Sequence, residues 1–152
     1  MKNLLTLFGL ILWVSCTSNS YDLIIINADV YDGLGNPPAK VDIAISDGEI
    51  IEIGDLGEAK SEKIIDAKGM ALSPGFIDMH THLEPLMDMP LAESHVRQGV
   101  TFALGGPDGG GPWPCESYLD SLDQMELGLN VGYLIGHNSV RRAVLGLDDR
   151  EP

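Results

Sequence analysis

The sequence predicts an α/β chain in two successive parts: a small β-sheet module over residues 21–71, then alternating strands and helices over 72–152. Two observations carry this. Before Ser73-Pro74 the apolar residues recur every second position between tight-turn clusters, and after it short apolar runs alternate with stretches of helical spacing.

In the first part, Leu23-Ile24-Ile25-Ile26 is a buried apolar run. The stretch from Asp32 through Gly33, Gly35, Asn36, Pro37 and Pro38 is dense turn chemistry. Val41, Ile43 and Ile45 alternate with Asp42, Ala44 and Ser46, the signature of a half-buried strand. Asp47-Gly48 suits a hairpin turn, because both residues tolerate positive φ. Ile50, Ile51 and Ile53 make the return strand, and residues 63–66 one more, closed by Lys68-Gly69.

In the second part, residues 75–80 read as a strand and 90–98 as a short helix, opened by Pro90 and stopped by Gly99. Residues 100–104 form a second strand, followed by a glycine-rich loop over 105–114. Tyr118, Leu119, Leu122 and Met125 recur at helical spacing, and 130–136 is a third strand. Strands alternating with helices imply a parallel sheet with crossover helices.

Bulk composition excludes little but is informative at one point. The chain has 152 residues, 44% hydrophobic and 21% charged, which is ordinary globular composition. With 9 Lys and Arg against 23 Asp and Glu, the net charge is −14, which repels phosphate backbones and argues against nucleic acid as a partner.

The N-terminus has a separate character. Lys2, an apolar run over residues 4–14, then Ser15-Cys16 and a polar run over 17–20 form the pattern of a secretory signal over residues 1–15. The run is too short to span a bilayer, which takes about 20 residues. Cys16 directly after it resembles the lipobox of bacterial lipoproteins, which implies lipidation at Cys16 and an exported, periplasmic or membrane-anchored protein. Trp13 departs from the leucine usual there, and a plain cleaved signal or an uncleaved anchor fits the same pattern. Cys115, with no second Cys or His at zinc-finger spacing, reads as a small residue at a helix start.

The sharpest chemical feature is His80-Thr81-His82. Residues two apart on a strand share a face, so Asp78, His80 and His82 project together at its C-terminal end. Two imidazoles so placed can hold one divalent metal, with Asp78 ligating or orienting them. The bland alternative is a pair of polar residues at a strand end.

The string from Pro74 to Glu84, PGFIDMHTHLE, resembles the first metal-binding strand of the amidohydrolase superfamily. The resemblance implies the N-terminal part of a β-sandwich over 21–71, followed by the first three strand-helix units of an incomplete (β/α)8 barrel over 72–152. His80 and His82 would then be metal ligands, with zinc or another divalent ion as cofactor. Gln98-Gly99-Val100-Thr101 and the stretch from Gly136-His137-Asn138-Ser139 through Arg141 to Gly146 narrow the likeness to N-acyl-D-amino-acid deacylases. The activity implied is metal-dependent hydrolysis of an amide C–N bond in a small-molecule substrate.

One position departs from that family. Where it commonly has Gly-Asn-Cys-Gly with a ligating cysteine, this chain has Gly106-Pro107-Asp108-Gly109. Asp108 is either a harder metal ligand or a turn-former in a Pro-Asp-Gly-Gly loop. The substitution puts a D-amino-acid substrate in doubt. His137 and Arg141 are candidates for substrate binding, the arginine as a carboxylate clamp; alternatively they are a loop-stabilising histidine and a helix-surface arginine. His95 reads as a surface or packing histidine, and Glu84 as lining the site or facing solvent.

A complete barrel takes about 250 residues, and three strands of eight cannot close. The chain is therefore expected to be an N-terminal fragment, inactive alone, with the general acid/base Asp beyond Pro152. A cyclic amidase or dipeptidase of the same superfamily, or a non-catalytic metal-binding lipoprotein, are the other readings.

Overall fold

The computed structural model describes residues 20–151 and divides the chain into two compact units at Ser73/Pro74. Cys16 and the signal pattern before it lie outside the described residues. Among the described residues, no helix is long and apolar enough to cross a membrane.

The first unit is one sheet. It contains β1 (Ser20–Val30), β2 (Ala39–Ser46), β3 (Glu49–Gly54), β4 (Lys60–Asp66) and β5 (Ala71–Leu72). The order is β3-β2-β1-β4, with β5 also pairing β1. β1–β2 and β2–β3 are antiparallel, whereas β4 and β5 run parallel to β1. The β2–β3 turn has φ of 53° at Asp47 and 77° at Gly48, the positive pair a two-residue hairpin demands. Tyr21, Ile24 and Ala44 make its buried core, packed by Ile26, Leu56 and Ala59. β1 is longer than its apolar run because it bulges between Ile25 and Ala28, where Asn27 takes a φ of 57°.

The second unit is a three-stranded parallel sheet, β6 (Phe76–Thr81), β7 (Val100–Gly105) and β8 (Asn130–Tyr133), in the order β6-β7-β8. A 3-10 turn (Glu84–Met87) and α1 (Glu93–Val96) connect β6 to β7; α2 (Cys115–Asp123) connects β7 to β8; α3 (His137–Leu145) comes last. Leu83, Leu86, Ala103, Leu122 and Leu129 form the core. Thr81 pairs with Gly105 and Gly105 with Tyr133, so the three strands end level. The segments leaving the three strands therefore gather along one edge of the sheet.

Two elements differ from expectation. The helix expected over 90–98 shrinks to Glu93–Val96, because Ala92 sits in the left-handed region at φ 43° and cannot continue a helix backwards. Gly99, at φ 82°, stops it as expected. The third strand ends at Tyr133 rather than at Gly136, because its partner β7 ends at Gly105; the Leu134 N–H makes the last bond of the ladder, to the Gly105 carbonyl (3.0 Å), and the chain turns into α3.

Candidate metal centre

β6 is an edge strand, and its last residues set the site. Asp78 accepts a hydrogen bond from the His80 backbone N–H (3.1 Å). The Thr81 hydroxyl is buried and makes no hydrogen bond of ordinary geometry. It lies near enough to the Asp78 carboxylate to favour its charged form, and with the His80 N–H it holds Asp78 below the usual carboxylate range. Asp78 thus braces the end of the strand and is not part of the donor cluster.

The two imidazoles converge on Asp108. His80 Nε2 lies 3.3 Å from Asp108 Oδ1, and His82 Nε2 lies 2.9 Å from Asp108 Oδ2. The rings are 6.4 Å apart by centroid and tilted by 53°. Donor atoms of all three residues lie within 4.8 Å of one another. Zinc bound to nitrogen and oxygen at about 2.0–2.2 Å makes a tetrahedron with edges of about 3.4 Å. The two separations, one to each Asp108 oxygen, are near that edge, and with all three donors within 4.8 Å of one another the set can surround a small divalent ion. Nitrogen and carboxylate ligands suit zinc and its neighbours.

Asp108 belongs to the turn Pro107-Asp108-Gly109, with φ of 77° at Gly109. The two readings of this residue are therefore compatible: the turn lifts its carboxylate toward the histidines. Glu84 approaches from the other side, its Oε1 3.6 Å from His82 Nδ1. That is longer than a hydrogen bond but is the place from which a carboxylate orients a ligating imidazole. The sequence offered Glu84 only as a choice between site and solvent; its position two residues after the second histidine was the available signal.

Other candidates stand apart. His137 is exposed at the start of α3, outside the three-residue cluster. Arg141 directs its guanidinium to the carbonyls of Arg150 (3.0 Å) and Asp148 (3.4 Å), so in this structure it holds the following segment. His95 is half-buried in α1, its Nδ1 3.3 Å from the Ser94 hydroxyl. With His82 it lines a cavity of about 810 Å³ walled by Leu86, Met89 and Leu91. Cys115 is a free thiol at the first residue of α2. Tyr133 went unnoticed in the sequence. Its hydroxyl donates to the Leu83 carbonyl (3.3 Å) and its ring meets Tyr118 edge-on at 5.2 Å. It ties the end of β8 to the residue after His82.

No family model matches the chain. It is 33% identical over 148 residues to the N-acyl-D-aspartate deacylase of Alcaligenes xylosoxydans xylosoxydans, an alignment covering 82% of this chain. Among solved structures it resembles N-acyl-D-glutamate deacylase from Bordetella bronchiseptica, complexed with zinc and a phosphonate inhibitor, at 28% identity, TM-score 0.76 and 84% of this chain. The chain is homologous to the N-acyl-D-amino-acid deacylases, which are amidohydrolases. A D-aminoacylase structure with a binuclear metal centre agrees, with TM-score 0.77 at 28% identity over 86% of this chain. The homology covers part of those enzymes only: the chain spans 30% of the curated deacylase and 32% of each of these two solved chains. L-hydantoinase from Arthrobacter aurescens shares the fold at 20% identity and TM-score 0.59, over 74% of this chain and 27% of its own. The mixed α/β fold of this deacylase homologue is therefore that of D-aminoacylase over the stretch it covers.

Proposed function

We propose that this chain carries part of the metal site of a hydrolase that cleaves the amide C–N bond of N-acyl amino acids. The observation that carries the reading is the convergence of His80 Nε2 and His82 Nε2 on the two oxygens of Asp108. His80, His82 and Asp108 hold the ion, zinc or a similar divalent cation, and Glu84 orients the His82 ring. When bound, the ion polarises an amide carbonyl and lowers the pKa of water. The homology to zinc-containing and other metal-containing deacylases supports the same reading.

Under this reading residues 21–71 are a β-sandwich segment and 72–152 the first three strand-helix units of a (β/α)8 barrel. Export and lipidation at Cys16 are proposed on the sequence pattern alone. The donor cluster is an open surface, with side chains 56–67% exposed, so it does not by itself exclude water from a substrate. We therefore expect the chain alone to bind the ion without turning over N-acyl amino acids. Zinc titration should give one ion per chain, lost in the His80→Ala, His82→Ala double variant. Absence of binding would refute the metal reading, and hydrolysis by the zinc-loaded chain that His80→Ala abolishes would refute the expected inactivity.

A further inference from the structure

Asp108 comes from a loop that β7 cannot position unaided. Gly105, Gly106, Gly109, Gly110 and Gly111 surround it, and glycine-rich backbone has the most conformational freedom to lose on ordering. The structure shows what orders it. The Asn138 N–H donates to the Gly109 carbonyl (2.8 Å), and the Ser139 hydroxyl donates to the Gly111 carbonyl (2.8 Å). Gly136 is buried against the same loop: a Cβ added there would collide with the Gly109 carbonyl oxygen and lie 2.6 Å from that of Gly110. At the near end, a Cβ on Gly106 would lie 2.7 Å from the Leu134 carbonyl. The turn out of β8 and the first residues of α3 thus grip the loop on both sides of Asp108.

We infer that Gly136 and Ser139 are positioning residues for the metal site, acting through Asp108. This rests on the reading of His80, His82 and Asp108 as the ligands. Histidines fixed by β6 meet a carboxylate fixed by α3, and the ion is bound tightly only while both frames hold. Gly136 permits backbone contact that no other residue allows, and the Ser139 hydroxyl pins the far end of the loop. The start of the 136–146 segment, read from sequence as substrate-binding at His137, thereby also supports a ligand on the neighbouring strand's loop.

The test is a double-variant cycle on the purified chain, with zinc affinity measured by competition against a chromogenic chelator. Gly136→Ala and Ser139→Ala should each weaken zinc binding about 10- to 100-fold, the range for residues that orient ligands. Ser139→Thr, which keeps a hydroxyl, should bind within about threefold of the parent, well short of the loss expected when an orienting group is removed. In an Asp108→Asn background, the effect of Gly136→Ala and Ser139→Ala should vanish, because the carboxylate they position is gone. A general loss of structure would lower affinity in both backgrounds, and far-UV circular dichroism identifies any variant that fails to fold. Equal losses in both backgrounds, or no loss in the parent background, overturn the inference while leaving the metal reading intact. Zinc binding that is absent in the parent overturns the metal reading and this inference with it, whereas binding unaffected by Asp108→Asn removes Asp108 from the ligands and overturns this inference alone.

Discussion

Asp108→Asn separates the two roles of that residue. Asparagine is as good a turn-former as aspartate, so the loop geometry survives. What changes is charge: the two oxygens now 3.3 and 2.9 Å from the imidazole nitrogens become one carbonyl and one amide, and the amide offers a proton where a metal needs a lone pair. Structural zinc sites with four ligands bind with about 10–16 kcal/mol at neutral pH. An equal share is about 2.5–4 kcal/mol per ligand, or about 10²- to 10³-fold in affinity at 1.36 kcal/mol per decade. Because the Asp108 side chain is 56% exposed, water competes with it and the effect should fall at the low end, about 100-fold. Competition titration with a chelator reads the loss, and circular dichroism confirms that the fold persists. A variant binding zinc within about threefold of the parent would show Asp108 to be a turn residue only, since a lost ligand costs far more than that.

Three further outcomes are expected from the geometry. Glu84→Gln keeps the shape but not the charge beside His82 Nδ1, and should weaken zinc binding about 10-fold; an unchanged constant would remove Glu84 from the site. Leu122→Ala, in the second unit's core at 1% exposure, should cost about 2–5 kcal/mol in urea unfolding, and a loss under about 1 kcal/mol would mean that α2 is not packed as seen. Burial, then the Tyr118 hydroxyl, then the charges of Glu84 and Cys115 raise the Tyr133 phenol above its ordinary value near pH 10. Its raised folded pKa gives stability that is complete below about pH 10 and lost as pH climbs toward the folded value. Tyr133→Phe should flatten that alkaline decline, and an identical decline in both proteins would contradict it.

Much of the fold was legible because its signals are local. Alternation at Val41, Ile43 and Ile45, the Asp47-Gly48 turn and the Gly99 stop each depend on a few neighbouring residues, and each appears where expected. The bounds that moved were those decided by tertiary contact. Nothing near Ala92 announces a left-handed residue, and β8 stops where its partner β7 stops, at Gly105, far away in sequence. The site divides in the same way. His80 and His82 could be paired from spacing on one strand, and the family likeness pointed to Asp108. The contacts that Arg141 makes here could not be read, because its partners are backbone carbonyls at Asp148 and Arg150, and a carbonyl carries no sequence signature.

The direction of cause at the metal centre can be argued from exposure. Carboxylate–imidazole contacts between side chains more than half exposed are screened by solvent and contribute little to stability, so they cannot draw a glycine-rich loop into place. The loop must be placed from below, by strands that end level at Thr81, Gly105 and Tyr133 and by backbone bonds from Leu134 and Asn138. The three candidate donors, from the end of one strand and the loop after its neighbour, then meet as a consequence of the parallel register. A slip in the register of β7 would carry Asp108 away from both histidines, whereas exchanging any surface charge nearby would not. The site is accordingly a property of the sheet's C-terminal edge, which is where a parallel α/β sheet places its chemistry.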